Sequence, residues 1–175
     1  MENHHLSENS TFYQFRLVRK IHYSKVLIYA YLVVLGLPLG VLIKAYSLTG
    51  LVVMVGEGVL LLFVHALILL ILIKVQLNLK VSHWSFQILL PWVGFLPKQY
   101  ISLSSFKQIH HHLFWVGLVV MGFFSPWYSF YLISTLGFLH VWILMPRFII
   151  FYLLRSENPD GVVKLNQQDT SYFMQ

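Results

Sequence analysis

A stretch of 34 residues without Lys, Arg, Asp or Glu, residues 113–146, limits what this chain can fold into more than any other feature. As one helix it would be about 51 Å long, whereas the hydrocarbon core of a bilayer is about 30 Å thick. The chain must therefore turn within the stretch. The best place is residues 125–129, because Pro126 cannot continue the helical hydrogen bonds there. The stretch predicts two apolar helices, of which the second covers residues 130–154.

Two further apolar runs precede this stretch. Residues 26–43 contain no charge over 18 residues, which as a helix would span about 27 Å and nearly cross the hydrocarbon. Residues 44–49 are long enough only for a tight turn, and residues 50–73 are then apolar except for Glu57 and His65. Only 10% of the chain is charged, against about 25% in soluble domains. The solvent of these runs is therefore lipid.

The four runs predict an all-α integral membrane protein with four transmembrane helices arranged as two hairpins. The boundaries are a basic amphipathic N-terminal segment (1–25), a first transmembrane hairpin (26–73), a loop (74–111), a second transmembrane hairpin (112–154) and a polar tail (155–175). The tail is expected to be exposed or partly disordered. The loop contains an apolar segment, residues 84–96, which is too short to span the bilayer and should be interfacial or re-entrant. Just before it, residues 75–82 alternate apolar and polar side chains, a strand-like pattern.

The orientation follows from the positive-inside rule. Only Lys44 flanks the runs on one side, and ten basic residues flank them on the other: Arg16, Arg19, Lys20, Lys25, Lys74, Lys80, Lys98, Lys107, Arg155 and Lys164. Arg147 is left out because it falls within a run. Both termini and the loop are therefore predicted to be cytoplasmic, in a multi-pass protein of the plasma membrane. The N-terminal basic residues Arg16, Arg19, Lys20 and Lys25 should lie on the lipid surface.

Four ionisable residues fall inside the predicted spans: Glu57, His65, His140 and Arg147. Each costs about 2.5 to 3.5 kcal/mol on insertion scales, which makes each a candidate for a specific role. Depths counted from the outer ends predict that Glu57 pairs with His140 and that His65 lies near Arg147. Arg147 lies close to the inner boundary and is a candidate for snorkelling towards the cytoplasm.

Three interpretations of these residues stay open. They form a polar clamp between hairpins, a proton relay, or, with His65 and His140 as ligands, a haem site. The haem site is disfavoured because the predicted depths of the two histidines differ by about 7 Å. No cofactor is therefore predicted.

Small residues mark the predicted helix contacts. Gly36 and Gly40 form a small-xxx-small pair around Pro38, which is expected to bend the helix. Gly58 and Gly137 lie on the same helix faces as the ionisable residues. Packing of these residues within the chain is favoured over packing between two copies.

The run His110, His111, His112 is the longest run of metal-ligand side chains in the sequence, and the chain has no cysteine. Consecutive helical residues point about 100° apart, so at most two of the three could share one ion. We therefore interpret the run as interfacial polar residues and predict no metal.

Function is not decided by any motif, because the HExxH, GxSxG, P-loop and dinucleotide patterns are all missing from the sequence. The basic residues flank apolar runs and form no stripe, so nucleic acid is not an expected partner. We expect a subunit, adaptor or regulator that contacts the bilayer and another membrane protein or a second copy. The alternatives are a proton- or ion-coupled carrier and, less favoured, a membrane-embedded enzyme.

Overall fold

The computed structural model describes residues 15–76 and 81–174. Predictions that concern residues 1–14, residues 77–80 with Lys80, and residue 175 lie outside the described residues. The helices are α1 (Lys25–Val34), α2 (Gly36–Tyr46), α3 (Thr49–Ile71), α4 (Leu103–Phe124) and α5 (Phe130–Leu153), with a π-helix at Leu72–Gln76 and 3₁₀ turns at Val81–His83 and Ser125–Trp127. The strands are β1 (Arg16–His22), β2 (Trp84–Leu89), β3 (Trp92–Pro97), β4 (Ile101–Ser102), β5 (Val162–Leu165) and β6 (Asp169–Met174).

Three helical segments are long and apolar enough to cross a bilayer, which indicates a membrane-associated protein. They are Lys25–Tyr46, Thr49–Val75 and Phe130–Leu153. Helix α4 has 22 residues, a similar length, but its first half carries Lys107, Gln108 and three histidines. It is therefore the most polar of the long helices.

Two of the helix breaks lie close to a proline. The first long segment is interrupted at Leu35, between α1 and α2. Pro38 lies four residues beyond Val34, so it cannot donate to the Val34 carbonyl and its ring crowds that group. The second break, Ser125–Trp127, contains Pro126 and lies where the sequence predicts the turn. Ser129 then caps α5 by accepting a hydrogen bond from the Leu132 N–H at 3.4 Å.

The all-α prediction is wrong, because the segments outside the helices form two antiparallel sheets. One sheet has the strand order β1-β6-β5-β4, and the other is the β2–β3 hairpin. The four-stranded sheet joins the start of the chain, the residues before α4 and the residues after α5. These three segments therefore meet at one end of the helices, which we call the sheet end.

Strands also form in three segments that were not expected to contain them. The tail, expected to be exposed or partly disordered, contains the β5–β6 hairpin, the basic N-terminal segment contains the strand β1, and residues 84–96, expected to be interfacial or re-entrant, fall in the β2–β3 hairpin. Where the alternating pattern of residues 75–82 is described, it is π-helix and 3₁₀ turn, with no strand. Strand pairing depends on partners from distant parts of the sequence, which a local pattern does not contain.

Tyr23 connects the parts of the sheet end. Its hydroxyl group bonds to the Thr170 hydroxyl of β6 and accepts a hydrogen bond from the Trp92 Nε1–H of β3 at 3.1 Å. Burial raises the pKa of Tyr23 to about 12, so the phenol stays neutral. Trp92 itself is 1% exposed, within a core that includes Leu103 of α4 and Tyr172 of β6. One buried core thus holds the hairpin, the helix ends and the sheet together.

The predicted glycine contacts are not found within the described chain. An added Cβ would meet no atom within 4 Å at Gly36, Gly40, Gly58 or Gly137. Helices approach closely at other glycines. A Cβ on Gly50 would overlap the backbone of Leu42, and one on Gly117 would overlap the ring of His140. The spacing of small residues identifies a possible contact, but the relative rotation of the helices decides which glycine is used.

Asp169 ties the β5–β6 turn to β1. Its carboxylate accepts hydrogen bonds from Asn166 Nδ2 at 2.8 Å and from the Ser171 hydroxyl at 2.9 Å, and it forms an ion pair with Lys20 at 3.2 Å. Burial acts to raise the Asp169 pKa, but these hydrogen bonds and Lys20 together lower it. The charged form is therefore the one that the fold stabilises.

We expect Asp169→Asn to lower the free energy of unfolding by about 1 to 2 kcal/mol, because the charge-assisted hydrogen bonds are weakened. Since the folded pKa is depressed, the Asp169 contribution is complete above the ordinary aspartate pKa of about 3.9 and is lost as the pH falls through the folded value. Melting curves in detergent at several pH values test this. Asp160→Asn, at an exposed turn, is the matched control and should melt like the wild type; equal melting of the two variants would refute the assignment.

Candidate functional site

Most polar side chains of the helix interior either lie on α5 or bond to a residue of α5. Glu57 of α3 is 8% exposed, and its Oε2 accepts a hydrogen bond from the Thr135 hydroxyl at 2.7 Å. Its other oxygen, Oε1, is buried and has no partner among the described residues. The carboxyl group therefore has one free acceptor inside an apolar layer. The predicted Glu57–His140 pair is not formed, since the Glu57 partner is Thr135, five residues before His140.

The two interior histidines contact each other directly. His65 Nε2 and His140 Nδ1 are 2.8 Å apart, and the two rings are edge to face with centroids 4.9 Å apart. His140 Nε2 lies 3.2 Å from the Phe114 carbonyl of α4 and donates to it. In a neutral ring Nδ1 of His140 is then the acceptor, so His65 donates from Nε2. This chain of two hydrogen bonds joins α3, α5 and α4.

The depth argument against a His65–His140 contact is therefore wrong. It assumed that α3 and α5 start at equal depth and run parallel, whereas the helices are offset and bring the two rings together. Because the ring nitrogens bond to each other, these two atoms have no space for a metal between them.

Arg147 is 2% exposed, and its described hydrogen bonds both go to carbonyl groups. Its Nη1 donates to Ile143 O at 2.6 Å, one turn earlier in α5, and its Nη2 donates to Val93 O of the β2–β3 hairpin at 2.8 Å. Its Nε is buried without a partner, and no described carboxylate pairs with it. The snorkelling prediction is wrong, because the guanidinium points back towards the start of α5 and away from the sheet end.

A fourth polar link was missed by the sequence analysis. Tyr31 of α1 and Trp142 of α5 stack with centroids 4.2 Å apart, and each donates to the other's backbone carbonyl, at 3.2 Å and 2.8 Å. Aromatic residues in apolar runs are often placed at the bilayer boundary, which hid this pair. Thr135 was missed because only ionisable residues were considered as candidates. A signal existed, since Thr135 and Trp142 are seven residues apart on one helix face.

The histidine run divides between core and surface. His110 is fully buried, whereas His111 and His112 are more exposed. Each ring donates from Nδ1 to the carbonyl four residues earlier, at 2.8 Å, so all three follow the backbone of α4. Within the described residues no group of three His, Cys, Asp or Glu side chains could hold a metal ion.

The basic residues predicted at the lipid surface lie at the sheet end. Arg19 forms an ion pair with Glu157 at 3.2 Å, and Lys20 pairs with Asp169. Arg16 and Lys25 are exposed. Two of the four residues, Arg19 and Lys20, therefore form ion pairs at the sheet end.

An apolar cavity of about 290 Å³ lies between α3, α4 and α5, beside the polar links. Its lining includes Leu61, which lies between Glu57 and His65 on α3, and Gly117, which contacts His140. The other lining residues are also apolar apart from Tyr128. Among the described residues, the polar links are therefore separate contacts with apolar side chains between them.

No protein-family model matches the chain, and no curated protein or solved structure shows significant similarity to it.

The contact between Gly117 and His140 yields a matched pair of variants. A Cβ on Gly117 would lie about 3.0 Å from His140 Nδ1 and force the ring to move, which breaks its hydrogen bonds to His65 and Phe114. We expect Gly117→Ala to lose about 1 to 3 kcal/mol of stability through overpacking. Gly122→Ala, on the same helix in open space, should be neutral or stabilising by up to about 1 kcal/mol. Thermal unfolding in detergent measures both, and a Gly117 variant as stable as the Gly122 variant would contradict the contact.

Proposed function

We propose that this chain is a four-span protein of the plasma membrane that acts as a subunit, adaptor or regulator through its sheet end. The observation that carries the proposal is the four-stranded sheet, whose strands come from before, between and after the two helical hairpins. A sheet that joins these three segments requires each hairpin to leave and return on the same side. Four crossings, with α4 as the third, satisfy that requirement.

The orientation is supported by charge. Arg16, Arg19, Lys20 and Lys164 are carried by strands of the sheet, whereas Lys44 lies near the opposite turn. The two turns lie side by side at that opposite end, where the hydroxyl groups of Tyr46 and Ser129 are 2.7 Å apart. The positive-inside rule therefore favours a cytoplasmic sheet and short outer turns.

The interior favours a clamp. The polar links join three neighbouring helices to α5: Tyr31 links α1, Glu57 and His65 link α3, and the Phe114 carbonyl links α4. Hydrogen bonds of this kind contribute about 0.6 to 2 kcal/mol each inside a membrane but select partners well. We therefore assign the binding of a protein partner to the four-stranded sheet. Its most exposed apolar side chains are Leu17 and Val18 of β1, at 49% and 48%, and we assign them to the contact with another membrane protein or a second copy.

The topology is tested with single cysteines, since the native chain has none. A membrane-impermeant thiol reagent should label Ser47→Cys and Trp127→Cys in intact cells, and should label Ser156→Cys only after permeabilisation. Labelling of Trp127→Cys decides whether α4 crosses, because this residue follows α4 directly. Protection of Trp127→Cys together with labelling of Ser47→Cys would leave at most three crossings and reject the proposal.

The partner contact is tested by native mass spectrometry of the full chain purified in mild detergent. We expect a stoichiometric second protein or a homodimer, which Val18→Glu should remove because it places a charge in the apolar contact. Ser156→Glu, an exposed position outside β1, should retain the complex. A monomer in all three samples would contradict the adaptor.

A proton-coupled carrier is the second candidate, supported by the unpartnered Glu57 Oε1 and by the His65–His140 contact. It predicts pH-driven flux into liposomes that Glu57→Gln removes. We expect no such flux from the wild type. Flux that depends on Glu57 would replace the adaptor proposal with the carrier.

A further inference from the structure

The β2–β3 hairpin has an inner face that combines apolar side chains with Ser85 and Gln87, and an outer face that is apolar. Between His83 and Lys98 the chain has no charged residue. Trp92 and Leu96 are each 1% exposed and pack into the core of the sheet end. On the other side, Phe86 is 49% and Ile88 is 71% exposed. A hairpin in contact with water on its outer face would carry polar side chains there.

The hairpin lies beside the helices rather than below them. The Cα of Gly94 faces Leu62 of α3 and Arg147 of α5, since a Cβ there would be 3.8 Å from Leu62 Cδ2 and 3.4 Å from Arg147 Nη2. Trp84 belongs to the same core cluster as Leu69 and Ile73. The hairpin therefore runs alongside about 16 Å of α3, the axial distance from residue 62 to residue 73.

That part of α3 belongs to the apolar surface of the helix. Phe63, Leu67 and Ile71 are 61%, 45% and 61% exposed, and the first charged residue after Glu57 is Lys74. An α3 that crosses the bilayer keeps these side chains in contact with acyl chains. The β2–β3 hairpin lies at the same depth in the bilayer, so its exposed face also contacts acyl chains.

Backbone in hydrocarbon must have its polar groups satisfied by protein, and Arg147 serves this purpose. The hairpin strands bond to each other along the whole register from Trp84–Pro97 to Leu89–Trp92. On the helix side, Arg147 Nη2 donates to the Val93 carbonyl. A buried guanidinium with no carboxylate partner among the described residues thus holds the hairpin against α5.

We propose that the β2–β3 hairpin inserts into one leaflet of the bilayer and places Phe86 and Ile88 against lipid acyl chains. The leaflet is the cytoplasmic one, and this assignment rests on the topology given under the proposed function. The protein then has a lipid-contact surface in one leaflet that its opposite end, formed by two short turns, does not have. Of the two forms expected for this segment, the re-entrant one is the one proposed.

The test uses Ile88→Cys carrying a spin label, in the full chain reconstituted in phosphatidylcholine vesicles. The ratio of oxygen to water-soluble nickel-chelate accessibility should be shifted strongly towards oxygen, as for a Phe63→Cys label on α3. Ser156→Cys, an exposed position at the sheet end, supplies the water reference. An Ile88→Cys ratio equal to that of Ser156→Cys would overturn the proposal. Dipolar broadening between labels at position 88 would also overturn it, because a second copy would then cover this face.

The position of Arg147 provides a second variant. Arg147→Met removes the donor to Val93, and the ratio at Ile88→Cys should shift towards water while that at Phe63→Cys stays unchanged. Arg147→Lys should shift it less. An unchanged ratio in Arg147→Met would show that this contact does not hold the hairpin. If this variant fails to fold, the Ile88→Cys result in the wild-type background still decides insertion. If the orientation is inverted, the Ile88→Cys label still lies in lipid and only the labelling of Ser47→Cys changes. The two measurements therefore distinguish failure of the topology from failure of the insertion proposal.

Discussion

The arrangement of the chain depends on a requirement of α5: its polar side chains lie in an apolar layer, and each needs a hydrogen-bond partner from another element. An unpaired polar group in such a layer costs several kcal/mol. Thr135, His140, Trp142 and Arg147 meet the requirement with partners on α3, α4, α1 and the β2–β3 hairpin. Helix α5 is accordingly the most buried of the three long segments. Its neighbours are fixed in rotation and height by a few directional bonds, whereas apolar packing alone would tolerate sliding.

Arg147 shows how this requirement connects the helices to the rest of the fold. Its two described hydrogen bonds go to carbonyl groups, one on its own helix and one on β3. Burying a charged guanidinium costs free energy. Leaving backbone polar groups of the hairpin unsatisfied beside α5 would cost more, which accounts for the contact. The hairpin, held in place, presents Trp92 to Tyr23, and Tyr23 in turn bonds to β6. A path of polar contacts therefore runs from Arg147, in the last third of α5, to the four-stranded sheet.

The sequence predicted the helices better than the segments between them. The runs at residues 26–43, 50–73 and 130–154 correspond to long helical segments, because apolar length is a local property. The strands were missed for the opposite reason. β1 is basic and only partly alternating, and its partner β6 lies about 150 residues away in sequence. The sequence identified the ionisable residues of the interior as a group but not their pairing. A shift of one helix along its axis by little more than a turn decides whether Thr135 or His140 lies opposite Glu57.

The sequence by itself indicated that the apolar runs are surrounded by lipid, and it identified the ionisable residues within those runs. Uncharged runs of this length exclude a water-soluble core, and basic residues outside the runs favour one orientation. Only the tertiary structure decided which groups meet: His65 with His140, Tyr31 with Trp142, Arg147 with the hairpin, and three distant segments as one sheet. The physical reason is that burial is encoded residue by residue, whereas hydrogen-bond partners depend on the offset and rotation of whole elements.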